Sequence, residues 1–283
     1  MGAPAVQGDV RVGSVVSEDG TVIGYRSTGT GPALLIVPGA LQMAADFDGL
    51  AAALADRFTV HTVERRGRGA SGPQGDAYSA VAEVADIEAV RAATGARLVF
   101  GTSFGGFLTL QAALNGSAFD RIAVYEPGVA VDGSVPMGWA DRSRRELEAG
   151  KPAEAFLTFV QGINPDLSGK APRWLMRIIL KFAVKGPERE QKHVLLAGSI
   201  REHEESVRTE ADFPRYAEVA APVLLMAGKD LTTTGAGRAT VRLKDVLPDA
   251  ELVTYPKLDH FGPEAKPEAV AADIARFLQA HSA

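Results

Sequence analysis

A serine flanked by glycines is the first feature of this sequence that could do chemistry. Gly101-Thr102-Ser103-Phe104-Gly105-Gly106 follows the apolar run Leu98-Val99-Phe100 and precedes a helical stretch ending near Leu114. A serine at so tight a strand–helix turn adopts a strained backbone, which pushes its Oγ out above the sheet edge. Glycines two residues before and two after leave room for neighbouring backbone to pass. The helix that follows offers the Phe104 N–H, and a positive dipole end, to a developing oxyanion. The competing reading is a glycine-rich turn with an idle serine.

A nucleophilic serine needs a base, and the chain holds five histidines: His61, His193, His203, His260 and His281. His260 sits in Leu258-Asp259-His260-Phe261-Gly262-Pro263, a loop between the last strand and the last helix. In a parallel sheet that places it at the carboxyl ends of the strands, the same edge as Ser103. His193 and His203 lie on polar helical stretches and are expected to face solvent. His61 falls inside a strand, where a packed histidine is expected, and His281 lies at a terminus.

The base in turn needs an orienting carboxylate. Two fall just past strand ends. Asp230 follows Val223-Leu224-Leu225-Met226-Ala227-Gly228-Lys229, and Glu126 follows Ile122-Ala123-Val124-Tyr125. Either gives the chain order serine, acid, histidine. Asp230 is preferred and Glu126 is the alternative. A second oxyanion donor is expected from the turn Pro38-Gly39-Ala40-Leu41, where the Ala40 amide can face the site.

These residues require a particular scaffold. Short apolar runs alternate with alanine-rich helical stretches, as in parallel sheets buried on both faces. Val10–Val16 and Thr21–Tyr25 flank Glu18-Asp19-Gly20 and read as a hairpin at an antiparallel edge. The alternation breaks between about Val131 and Tyr216, which reads as several helices without a strand. We expect a mostly parallel eight-stranded sheet flanked by helices, with its core in residues 1–130 and 217–283. Residues 131–216 would form a helical cap. Trp139, Phe156, Phe159, Trp174, Leu175 and Met176 could line a pocket beneath that cap, or could simply pack it.

Composition narrows the chemistry. The chain has 283 residues, no cysteine and a formal net charge of −5. Thiolate catalysis, disulfides and cysteine-held metals are excluded. No basic field is available for nucleic acid or an anionic membrane. No basic or apolar leader and no apolar run of membrane-spanning length is visible, so a cytoplasmic location is expected.

The chain resembles the α/β-hydrolase superfamily along nearly its whole length. The matching pieces are Pro38-Gly39-Ala40, Glu64-Arg65-Arg66-Gly67-Arg68-Gly69-Ala70-Ser71, the turn at Ser103, Tyr125-Glu126-Pro127, Gly228-Lys229-Asp230 and His260-Phe261. One departure is plain: the family's oxyanion loop usually begins His-Gly, and here it begins Pro38-Gly39. The resemblance implies Ser103 as nucleophile, His260 as base and the amides of Ala40 and Phe104 as oxyanion donors. It implies acyl transfer on an ester, lactone or thioester of a small molecule, without metal or organic cofactor. Relatives that open epoxides or remove halides carry Asp where Ser103 stands. The same fold also hosts lyases, acyltransferases and cyclases, and catalytically inactive ligand-binding proteins.

Overall fold

The computed structural model describes residues 10–165, 168–184 and 186–280. The stretch 1–9, read above for a leader, and His281 lie outside the described residues. Strands β1 (Arg11–Val16) and β2 (Val22–Gly29) form the antiparallel hairpin, turning through Gly20 at φ 86°. Then β3 (Ala33–Val37), α1 (Asp48–Leu54), β4 (Thr59–Glu64), α2 (Ala80–Thr94), β5 (Leu98–Thr102), α3 (Ser103–Leu114) and β6 (Arg121–Tyr125) alternate. Four helices follow before the next strand: α4 (Ala140–Glu148), α5 (Pro152–Ile163), α6 (Arg173–Ala183) and α7 (Gly186–Arg208). Alternation resumes with β7 (Val223–Ala227), α8 (Gly235–Val246), β8 (Ala250–Thr254), a short α9 (Gly262–Ala265) and α10 (Pro267–Gln279).

The eight strands form one sheet in the order β1-β2-β4-β3-β5-β6-β7-β8. Only β2 runs against its neighbours; the pairings from β4 to β8 are all parallel. The sequence explains why the middle is parallel. Successive strand residues point to opposite faces, so a strand covered on both sides must be apolar throughout. In β3, Leu35 and Val37 feed the core beneath α2, α3 and α8, while Leu34 and Ile36 feed the core beneath α1 and α10. Edge strand β1 is open to solvent, with Val12 and Val16 about two-thirds exposed.

The inserted helices have their own small core. Trp139, Phe156, Phe159, Leu195, Leu196 and Ile200 pack together and meet Leu41 of the sheet layer. Trp139 donates from Nε1 to Pro136 O at 2.6 Å, which satisfies its one buried polar atom. Helix α6 contributes little to this core. It buries only Met176, and leaves Trp174, Ile178, Ile179 and Phe182 exposed. No helix among the described residues is long and apolar enough to cross a membrane.

Candidate functional site

The carboxyl ends of the parallel strands define one edge, and register decides what stands there. Thr102 of β5 pairs with Tyr125 of β6, so the next residues, Ser103 and Glu126, are neighbours just beyond the sheet. Both leave it with positive φ, 51° at Ser103 and 41° at Glu126. For residues with a Cβ this conformation costs about 1–3 kcal/mol, and surrounding structure must hold it. Here the holding is visible. A Cβ on Gly105 would stand 2.1 Å from Val37 O, because the end of β3 passes directly over the first turn of α3. A Cβ on Gly39 would stand 2.9 Å from the Ser103 Cβ, so the Pro38–Gly39 loop lies against the serine.

His260 reaches the same edge from the loop before α9. Its Nδ1 is 2.6 Å from Glu126 Oε2. The other Glu126 oxygen accepts the Gly228 N–H at 2.8 Å, and the Glu126 side chain is only 2% exposed. The loop itself is tied down. Tyr125 donates its hydroxyl to Asp259 O at 2.7 Å, and Lys229 N–H donates to Leu258 O at 2.8 Å. Burial works against protonation of His260. The Glu126 hydrogen bond and charge, with Glu264 and Asp259 nearby, overcome it and hold the pKa above the ordinary histidine value. Burial likewise works against the charge on Glu126. The His260 bond, its charge and the Gly228 N–H outweigh that and hold the carboxyl below its usual range. No hydrogen bond joins Ser103 Oγ to His260 in this conformation; such bonds are often long in unliganded sites and tighten on substrate.

Asp230, the preferred acid on sequence grounds, does not meet His260. The chain after β7 spends its backbone on the site, through Gly228 and Lys229. It then turns, and the Asp230 carbonyl accepts from the Thr233 and Thr234 amides at 3.1 Å each as the chain enters α8. The carboxylate at the histidine is Glu126, the alternative.

The loop after β3 is built without the family's histidine. Arg65 is buried at the end of β4, and its Nη1 donates to Gly39 O at 3.0 Å and to Pro38 O at 3.4 Å. Its other nitrogens hold Glu83, with Nε to Oε2 at 2.8 Å. Gly39 N–H donates to Gln42 Oε1 at 2.5 Å, and Gln42 Nε2 donates to Glu264 Oε1 of α9. Ala40 follows on this anchored turn and is half-buried. Phe104 is the second residue of α3, where helix geometry leaves amides without an intrahelical acceptor. Gln42 and Glu264 were not visible as site residues in the sequence. A polar residue three positions after Gly39 was the only local hint.

Ser103, Phe104, Glu126 and His260 line a cavity of about 110 Å³. The rest of its wall is Gly128, Val129, Ser134, Val135 and Pro136 from the segment between β6 and α4, Ile163, Asn164, His203 and Ser206 from the inserted helices and their connections, and Thr234 and Ala236. None of the aromatic residues that could line a pocket or pack the cap reaches it. Trp139, Phe156 and Phe159 fill the cap core instead, and Trp174 faces outward. Two histidines also depart from expectation. His203 lines the cavity, and His193 packs its ring on Phe156 at 5.9 Å. His61 is packed in β4, with Nδ1 2.8 Å from Ser27 Oγ.

Strand order, the strained serine between β5 and α3, and a helical insertion after β6 together define the architecture of the α/β-hydrolases. Residues 34–273 match the sequence profile of the alpha/beta hydrolase family, and the chain belongs to it. It is similar to a crystal structure of an alpha/beta hydrolase from Sphaerobacter thermophilus, at TM-score 0.78 and 29% identity, over 94% of this chain and 100% of that one. It is 26% identical over 266 residues to 2-(acetamidomethylene)succinate hydrolase of Mesorhizobium japonicum, 91% of this chain and 92% of that protein. It is also 26% identical over 248 residues to pimeloyl-(acyl-carrier protein) methyl ester esterase of Nitrosomonas europaea, 84% of this chain and 92% of that protein.

Proposed function

We propose that this protein is a serine hydrolase that cleaves a small uncharged ester, lactone or thioester. Ser103 is the nucleophile, His260 the general base and then acid, and Glu126 the carboxylate that orients it. One observation carries the reading. His260 spends Nδ1 on Glu126 at 2.6 Å, which leaves Nε2 for a serine that shares its cavity. In this reading Nε2 takes the Ser103 proton as Oγ attacks the acyl carbon. The Ala40 and Phe104 amides hold the oxyanion, each worth about 3 kcal/mol in the transition state. His260 then passes its proton to the leaving group, and water repeats the sequence to free the acid.

The relatives lend support at the level of reaction class, since one is named as a hydrolase and the other as a methyl ester esterase. The cavity wall narrows the substrate. Among the described residues it includes no lysine or arginine, so a free carboxylate there would lack a counter-charge. At about 110 Å³ it also suits a short acyl group.

The direct test is labelling with a fluorophosphonate, read by intact mass. One adduct per chain, absent in Ser103→Ala and strongly slowed in His260→Ala, is the expected result. Folded wild-type protein that takes no label would defeat the proposal. A screen of short p-nitrophenyl esters, lactones and thioesters then separates a hydrolase from a lyase or a cyclase.

A further inference from the structure

We propose that His203 is a substrate-recognising acceptor, and that the substrate carries an uncharged hydroxyl or N–H donor on the part held under the cap. This rests on the hydrolase reading above and names the substrate class for the same site. His203 stands on α7 and lines the cavity that holds Ser103 and His260. Its Nδ1 is 2.7 Å from Ser199 O, one helical turn back. A carbonyl can only accept, so Nδ1 carries the hydrogen and Nε2 of the neutral ring is an acceptor. The ring cannot swing freely. Trp139 meets it edge-on at 5.6 Å and Phe159 at 5.5 Å.

The ring is held neutral. Burial disfavours its charged form, as does the nearby His260, and together they outweigh the Ser199 bond and the Glu202 charge, which favour it. The acids on either side of it in sequence are paired elsewhere: Glu202 faces Arg65 at 3.0 Å and Arg68 at 2.7 Å, and Glu204 faces Arg144 at 2.6 Å. His203 also has no part in the proton relay, where His260 is bound to Glu126.

Of the remaining polar side chains of the cap-side wall, among the described residues, the Asn164 amide is left open to a ligand and the others are spent on the protein. Ser134 Oγ accepts the Val131 N–H and donates to Val129 O, both at 3.0 Å. Ser206 donates to Gly128 O. Thr234 Oγ1 donates to Asp230 O and accepts the Gly237 N–H, both at 3.1 Å. A bare imidazole acceptor in a partly apolar cavity is costly to leave unmet, so a ligand that donates to it is favoured over one that cannot. A carboxylic acid would arrive ionised, with no donor to offer. A hydroxy ester or an N-acylamino ester fits.

The test compares p-nitrophenyl 3-hydroxybutyrate with p-nitrophenyl butyrate. The readout is the ratio of kcat/KM, or of half-protecting concentrations against fluorophosphonate labelling where turnover is slow. Wild type is expected to favour the hydroxy ester by roughly tenfold, the size of one buried neutral hydrogen bond. In His203→Phe the ratio should fall to about one, chiefly through KM, and in His203→Gln, which keeps an acceptor, it should partly survive. His203→Leu serves the same comparison if the Phe variant does not fold. A wild-type ratio near one, or a preference that persists without the imidazole, overturns the inference. A protein that takes no fluorophosphonate fails at the hydrolase reading instead, whereas a labelled protein without preference fails only here.

Discussion

At the scale of single residues, the pairing of His260 with Glu126 carries the sharpest predictions. Glu126→Gln is expected to lower kcat by about 10⁴, as loss of the orienting carboxylate does in a Ser-His-Asp site. Asp230→Asn should stay within about twofold, because that side chain touches neither the base nor the nucleophile. Steady-state kinetics of the two variants on one ester settle the matter, and equal losses would sink it. The pH profile adds an independent check. His260 acts as a base only when neutral, and Glu126 holds its pKa above the ordinary histidine value. Activity must therefore disappear on the acid side, with the limb of kcat/KM centred above the usual 6.5 of histidine. In Glu126→Gln the residual activity should show that limb moved to lower pH, since the chief raising influence is gone. Both carboxylates stand just past strand ends of the same edge, so sequence spacing alone left the choice open. What decides it is backbone direction. Glu126 turns through φ 41° into the site, while the chain at Asp230 has already begun the turn into α8.

At the scale of elements, the β3–α1 loop has solved the loss of the family's histidine with a glutamine and an arginine. Gln42 bridges Gly39 N–H to Glu264. Gln42→Leu would strand that amide and bury Glu264 without a partner, a loss of about 1–3 kcal/mol. Urea unfolding should show it, and fluorophosphonate labelling should slow as the Ala40 amide loses its fixed place. Unchanged labelling with unchanged stability would remove Gln42 from the account. Helix α6 makes the opposite prediction. Its Trp174 and Phe182 are both more than 60% exposed, so Trp174→Gln and Phe182→Gln should shift stability by no more than about 0.5 kcal/mol. The strands and core helices were legible because buried parallel strands must be apolar on both faces. The cap was legible only as helices. An apolar stretch such as Trp174–Leu180 announces a face but not its direction, and so the sequence left open whether these side chains line a pocket or pack the cap.

At the scale of the whole molecule, buried charge joins the sheet layer to one helix of the cap and not to the others. Arg65 and Arg68 both reach Glu202, which is fully buried on α7. On the same helix Glu205 accepts the Ala80 N–H at 2.9 Å, and Arg201 donates to Gly75 O at 2.8 Å and Asp76 O at 3.0 Å. Among the described residues helix α6 has no such tie: Arg173 and Arg177 pair with Glu146 and Glu154 on α4 and α5. The same Arg65 grips Glu83 and the Pro38–Gly39 carbonyls, so the loop after β3 and the anchored helix α7 share one cation. Arg65→Met would leave Glu83 and Glu202 buried without that charge, at a cost of about 3–5 kcal/mol. The motion available to the cap follows from this layout. Amides in the last turns of α7 should exchange with solvent about as slowly as those of the central strands, because opening them breaks buried ion pairs. Amides of α6, with one buried side chain, should exchange orders of magnitude faster. Ile163, the last residue of α5, stands in the wall of the cavity of about 110 Å³, and α6 packs on α5, so longer acyl chains are expected to be admitted by moving α5 together with α6. Hydrogen exchange read by mass spectrometry separates the two halves of the cap directly. Equal protection of α6 and α7 would mean that the cap moves as one body, and that substrate must enter by another side.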